Sequence, residues 1–164
     1  MKKMKTRHAL AAKEIKKILK KEFPGIKFSV KSEGFANGSS VGVNWDNGPS
    51  TQQVEPHIKH FQYGHFNGME DIYEYSNNRE DIPQTKYLFC SRNITDDVVL
   101  EPAKKIHKER GGFEDQPEPI EETLCSSFKW EGGWDNWHQL VYRYANKTDF
   151  RQGVTLHDKW YEQL

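Results

Sequence analysis

The sequence predicts an α+β domain, a small antiparallel sheet with helices packed mainly on one face. Three observations carry that prediction. Near the N-terminus, apolar residues recur three and four apart, the period of one helix face. Two segments after it alternate apolar with polar residues, the period of a half-buried strand. Nine Phe, seven Tyr and five Trp in 164 residues supply bulky core material despite a mean hydropathy of −0.94. Disordered chains are poor in such residues, and this length fits one domain.

The first helix is expected over residues 9–23. Ala12, Ile15, Leu19 and Phe23 share a face, Ala11 and Ile18 widen it, and Pro24-Gly25 stops it. Ile26, Phe28 and Val30 then alternate with Lys27, Ser29 and Lys31 as a strand. Gly34 to Ser40 reads as a loop of small residues, and Val41, Val43 and Trp45 as a second strand. The two strands are expected to pair antiparallel across a long loop. Asp46-Asn47-Gly48-Pro49 is a turn signal.

A second helix carries Val54, Ile58 and Phe61 on its apolar face, with Ser50 or Thr51 as its cap. Pro56 lacks an amide proton and clashes with the preceding turn. The helix therefore either starts near Glu55, with Pro56 in its first turn, or is kinked. Residues 62–86 read as a long loop with a short extended piece at Ile72–Tyr75. Residues 86–92 form the clearest apolar run and are expected to be a central strand.

Thr95-Asp96-Asp97 is a helix-start signal, but Pro102 is expected to confine the helix to about residues 102–110, before Gly111-Gly112. Residues 113–122 read as a linker and Leu124–Trp130 as a further strand, with a break at Gly132-Gly133. Trp137, Leu140, Val141 and Tyr144 then give a last helix capped by Asp135 or Asn136. The tail from Val154, with Trp160 and Tyr161, is expected to dock on the core. The expected organisation is a basic tail over 1–8, a helix–strand–strand–helix–strand core over 9–110, and a mixed C-terminal extension over 111–164 packed on that core.

Charge is unevenly distributed. Lys+Arg and Asp+Glu both number 24, yet residues 1–31 hold ten Lys and one Arg against Glu14 and Glu22, a net of 11 − 2 = +9. The remainder carries 13 − 22 = −9. Such asymmetry points to a basic arm with an anionic partner, or to a solvated helix face. No apolar run approaches the roughly 20 residues of a membrane-spanning helix, and no apolar segment follows the N-terminal basic residues as a secretory leader would require. Two cysteines, Cys90 and Cys125, make no disulfide framework. A cytoplasmic protein without a membrane partner is expected.

His57, His60 and His65 are candidate metal ligands, with Asp71 as a fourth. Their spacing matches neither HExxH nor a paired CxxC pattern, and surface histidines are the competing reading. Cys90 with His65 or His138 would make a nucleophile pair, against a small buried thiol. Residues 63–71 hold two glycines but lack the Lys-Ser/Thr of a phosphate-binding loop. Glu70, Asp71, Glu74, Glu80 and Asp81 read as a solvated rim or as a source of paired acids. Trp130, Trp134 and Trp137 are core residues or a stacking surface, and Arg92 and Arg143 are isolated cations. No cofactor is expected.

Four stretches stand together in order: Phe23-Pro24-Gly25-Ile26-Lys27-Phe28-Ser29-Val30; Val43-Asn44-Trp45 with Gly48-Pro49; Phe66-Asn67-Gly68-Met69-Glu70-Asp71-Ile72-Tyr73-Glu74-Tyr75; and Tyr87-Leu88-Phe89-Cys90-Ser91-Arg92. This set resembles the large polyvalent protein-associated domain numbered 29. That family is found on phages, plasmids and other mobile elements, within large polyvalent proteins or standing alone. The resemblance covers about residues 9–110. Pro56 departs from the helix-forming residue expected there, and the chain from about Phe113 has no counterpart. The family carries no established catalytic residues to transfer. The resemblance implies an accessory protein of mobile DNA, one that protects incoming DNA or blocks a host defence.

Three classes of function follow. The first is a non-enzymatic accessory module that binds a host protein, as an inhibitor of host defence. The second is a nucleic-acid binder acting through the basic helix. The third is a small metal-assisted enzyme at His57, His60, His65 and Asp71. The residues expected to bind a partner are Lys13, Lys16, Lys17 and Lys20 of the helix, with Tyr63, His65, Phe66, Asp71, Tyr73 and Tyr75 of the loop. Neither the partner nor the oligomeric state is legible.

Overall fold

A computed structural model of the chain describes residues 4–111 and 116–156. In order the elements are α1 (Arg7–Glu22), β1 (Ser29–Phe35), β2 (Gly38–Asp46), α2 (Thr51–Ile58), β3 (His65–Asn67), β4 (Ile72–Glu74), β5 (Tyr87–Asn93), α3 (Asp96–Arg110), β6 (Phe128–Trp130), β7 (Gly133–Asp135) and α4 (Trp137–Ala145). The α+β class is as the sequence predicts, and the helix–strand–strand–helix order opens the chain. Two compact units form: Met1–Trp45 with Thr51–Arg92, and Asp46–Ser50 with Asn93–Leu164. The division falls after Arg92 rather than near residue 110, so α3 belongs to the second unit.

In the first unit, β1, β2 and β5 make a three-stranded sheet in that order. Strands β1 and β2 pair antiparallel from Ser29↔Asn44 to Phe35↔Gly38. Only Ala36 and Asn37 separate them, so the long loop expected over 34–40 is a tight hairpin. Small residues there mark the two strand ends. Alternation decides which face is buried. Val41, Val43 and Trp45 of β2 point inward, beside Leu88 and Cys90 of β5. Helix α1 covers that face with Ala11, Ile15 and Leu19, and α2 adds Val54 and Ile58. Burying each large aliphatic side chain contributes about 1.5–3 kcal/mol.

One expectation fails here, and one alternative is decided. Strand β5 is an edge strand, not a central one. Its apolar run is continuous because Leu88 and Cys90 fill the core while Tyr87 and Phe89 occupy the other face. Of the two alternatives for α2, the start near Glu55 is excluded: the helix begins at Thr51 and holds Pro56 in its interior. Proline forfeits the bond to the Gln52 carbonyl, and the helix gives way two residues later to a 3-10 turn, Lys59–Phe61. Burial of Val54, Ile58 and Phe61 holds the segment helical in spite of it.

The second unit packs α3 against α4. Helix α3 starts at Asp96 and runs through Pro102, six residues ahead of the expected start. Val99, Pro102, Ala103 and Ile106 are all buried, so tertiary contact outweighs the one hydrogen bond lost. Helix α4 starts as expected, with the Asn136 side chain accepting from the Gln139 amide at 2.9 Å. Strands β6 and β7 make a second hairpin through Glu131 and Gly132, whose φ values of +47° and +87° suit the turn that right-twisted strands require. The Asp46–Pro49 turn joins this unit by hydrogen bonding. Asn47 bonds Asn93 and Thr95, and the Phe150 amide donates to the Gly48 carbonyl. Met1–Lys3 of the basic tail and Trp160 and Tyr161 of the C-terminal tail lie outside the described residues.

Ile15→Ala, at a fully buried position, should destabilise the protein by about 2–5 kcal/mol. Lys16→Ala, one residue on and exposed, should change stability by less than about 0.5 kcal/mol. Urea unfolding followed by circular dichroism compares them; equal losses would contradict the packing of α1.

Candidate functional site

The loop expected over 62–86 is built around an antiparallel hairpin. His65 pairs with Glu74, Phe66 with Tyr73 and Asn67 with Ile72. The Asn67 side-chain amide donates to Glu74 at 2.7 Å, and the Met69 amide donates to Asn67 at 3.1 Å. Asp71 turns the chain with φ +54°. Gly64 brings the hairpin in close: a Cβ there would lie 2.0 Å from the Glu74 carbonyl oxygen and 2.5 Å from the Tyr73 ring. The Asn77 side-chain amide donates to the carbonyls of His60 and Gln62, and that of Gln84 to those of His60 and Asn77. These bonds replace a regular ladder for a segment without long strands.

The hairpin joins β5 through aromatic rings. Tyr73 and Tyr87 meet edge to face at 5.5 Å, and the Tyr73 hydroxyl donates to the Lys86 carbonyl. The Lys86 ammonium lies 4.9 Å above the Tyr73 ring and 5.5 Å above Tyr87. From Tyr87 the rings run on along the sheet. Phe35 stacks on it at 6.3 Å and Phe89 at 6.1 Å, tilted by 20° and 12°. On the hairpin side Tyr63 and Tyr75 stack at 5.6 Å, tilted by 7°, and Tyr73 meets both edge to face. Six rings thus form one connected array outside the core cluster. Phe35, Tyr75 and Phe89 are 47%, 62% and 59% exposed, and nearby Phe66 is 54% exposed.

Acids outnumber bases along the segment that carries the hairpin, while the Lys86 ammonium lies over two rings of the array and Arg7 lies beside Tyr63 and Tyr75. Burial, then the neighbouring Tyr63, Tyr87 and Tyr75, push the Tyr73 phenol up to about 12. Burial, then Tyr75, also raises Tyr63. Residues 62–86 hold Glu70, Asp71, Glu74, Glu80 and Asp81 against Arg79 and Lys86, a net of 2 − 5 = −3. Arg79 is engaged by Asp81, and its Nε lies 3.0 Å from Asp81 Oδ1.

A cavity of about 550 Å³ lies beside β5 in the same unit, lined by Glu55, Lys59, His60, Gln62, Gly64, Asn77, Leu88 and Cys90. Burial, then Glu55, pushes the Cys90 thiol up to about 12, so it is held as a thiol and not as a nucleophile. The histidines do not converge. His57 meets the Phe23 ring edge to face, His60 lies against Phe61, and His65 bonds Ser76 and Glu74. Burial, then Arg79, lowers His60. Among the described residues no group of three His, Cys, Asp or Glu side chains is placed to hold a metal ion. His138 is bonded to Asp96 in the second unit.

The expected binding residues fall on two different faces. Tyr63, Tyr73 and Tyr75 are in the ring array, and Phe66, His65 and Asp71 belong to its hairpin. Lys13, Lys16, Lys17 and Lys20 lie on the exposed side of α1, whose N-terminal Arg7 and His8, but none of these lysines, line a pocket with Tyr63 and Tyr75. Phe35, Tyr87 and Phe89 are the residues that sequence reasoning missed. The signal available was the alternation of Tyr87 and Phe89 with Leu88 and Cys90, which puts two aromatics on the face away from the core. In the second unit Trp130 and Trp137 are buried, Trp134 is exposed, and Arg143 is bidentate to the buried Asp135.

The model of the family described as large polyvalent protein associated domain 29 matches residues 6–124, so the chain belongs to that family. It is a domain associated with phages and other mobile elements. The match takes in the whole ring array and extends past the expected limit of residue 110, through α3, to Leu124. The hairpin of β6 and β7 and helix α4 lie beyond it. No curated protein and no solved structure matches the chain. Among the described residues no helix is long and apolar enough to cross a membrane.

Gly64→Ala should displace the hairpin and lower the unfolding midpoint, whereas Gly68→Ala, which meets nothing within 4 Å, should not. Thermal unfolding of the two variants measures the difference. At pH 8 iodoacetamide should label the exposed Cys125 at least about 100-fold faster than Cys90, since the thiolate is the reactive form. Peptide mapping by mass spectrometry reads the ratio, and fast labelling of Cys90 would reopen the nucleophile reading.

Proposed function

We propose that this chain is a non-catalytic accessory module of a mobile element and binds a protein of the host through the six-ring array. The observation that supports this reading is the exposure of Phe35, Tyr75 and Phe89 in one connected set of rings. Contiguous apolar surface of this kind on a folded domain marks an interaction site, and aromatic side chains dominate the binding energy of protein interfaces. The acids along the hairpin segment, five against Arg79 and Lys86, favour a partner surface bearing Lys or Arg. Those side chains can pair with these acids and lie over the tyrosine faces. In the setting of a mobile element, a host defence protein is the target this reading favours, with occlusion of its surface as the mode of action.

The double variant Tyr75→Ala/Phe89→Ala tests the proposal. The full chain should retain one protein, near equimolar, from a nuclease-treated bacterial lysate. The variant should bind that protein about 30-fold or more weakly, the loss expected for a single anchor of about 2 kcal/mol. Calorimetry with the recovered protein measures the ratio. Equal retention by both forms would refute the assignment to the ring array. Concentration-dependent dimerisation abolished by the same variant would reassign the array to self-association.

A further inference from the structure

The outward face of α1 is the second surface of the first unit whose chemistry asks for a partner. At 100° per residue, Lys13, Lys16, Lys17 and Lys20 fall within an arc of about 100°. That arc lies opposite the buried stripe of Ala11, Ile15 and Leu19. From Lys13 to Lys20 there are seven helical rises, about 10 Å along the axis. Among the described residues Lys13, Lys16 and Lys20 form no ion pair, and Lys17 alone is paired, with Glu14 at 2.9 Å.

Helix α3 provides a comparison within the same chain. It carries Lys104, Lys105, Lys108 and Arg110 against Asp96, Asp97, Glu101 and Glu109, a net of 4 − 4 = 0. Two of its lysines are paired, Lys104 with Glu101 and Lys105 with Glu109. Helix α1 carries Arg7, Lys13, Lys16, Lys17, Lys20 and Lys21 against Glu14 and Glu22, a net of 6 − 2 = +4. An ordinary solvated helix face mixes its charges as α3 does. That of α1 repels itself, at some cost to the helix, and is relieved by a polyanion.

We propose that this face docks on the phosphate backbone of double-stranded nucleic acid without regard to base sequence. A duplex presents one negative charge per about 1.7 Å of axis, or about six over the 10 Å of the stripe. Single strands are bound through aromatic stacking as well as charge, and no aromatic residue lies among the four lysines: Tyr63 and Tyr75 adjoin α1 only at Arg7 and His8, more than a turn before Lys13. The lysine stripe therefore offers charge without a stacking platform. With about four phosphates neutralised, the logarithm of affinity falls with the logarithm of salt at a slope of about −3.6. Affinity then drops about 150-fold between 50 and 200 mM salt.

Fluorescence anisotropy of the full chain tests this with a 20-base-pair DNA duplex, a single strand of the same length, and vesicles containing phosphatidylserine. The expected result is duplex binding with that salt slope. It should be abolished by Lys13→Glu/Lys16→Glu/Lys20→Glu, with the circular dichroism spectrum retained. Lys104→Glu/Lys108→Glu in α3 should leave it unchanged. So should Tyr75→Ala/Phe89→Ala, which separates this surface from the ring array. The proposal is overturned by absence of duplex binding at 50 mM salt, by full affinity in the α1 variant, by preference for the single strand, or by binding to vesicles alone.

Discussion

Helix α1 lies against β1 and gathers Ala11, Ile15 and Leu19 into one core with Val41 and Val43 of β2, and that packing assigns a side to the strands of the first unit. One face of the sheet becomes core. Alternation along β5 then sends Leu88 and Cys90 inward and leaves Tyr87 and Phe89 outside. Helical periodicity does the same for the lysines, which sit opposite the buried stripe. The outward rings of β5 and the lysine stripe are thus consequences of one packing choice, while Tyr63 and Tyr75 of the array adjoin α1 at Arg7 and His8.

The two surfaces differ in chemistry. One is aromatic, with acids along its hairpin and the Lys86 ammonium over two of its rings; the other is cationic and lacks aromatic groups. The partners proposed for them differ accordingly, a protein surface carrying basic side chains in one case and a phosphate backbone in the other. A module with both could hold a protein close to nucleic acid. The family match covers the entire first unit from Thr6 onward, so both surfaces lie within the shared domain. The hairpin with exposed Trp134 and helix α4 lie outside it.

The prolines show where local rules yield. Pro56 and Pro102 both sit inside helices that the sequence reads as interrupted. Each removes one backbone hydrogen bond, a cost of about 3 kcal/mol or more in an unsupported helix. The buried residues around each, Val54 and Ile58 in α2 and Val99, Ala103 and Ile106 in α3, offset that cost. Only the packed structure contains those terms.

By itself the sequence determined the α+β class, the pairing of the first two strands, the registers of α1 and α4, the Asp46–Pro49 turn and the family. Each rests on periodicity, turn chemistry or residue order, which are properties of neighbours along the chain. The hairpin of β3 and β4 was half legible, since its second strand alternates and its first is three residues long. Tertiary structure alone decided that β5 lies at an edge, that the compact units divide after Arg92, and that the histidines stay apart. It also decided that Phe35, Tyr63, Tyr73, Tyr75, Tyr87 and Phe89 meet in one array. Those residues span 54 positions from Phe35 to Phe89. Contacts at such separation depend on which faces are buried first, and no local pattern encodes that.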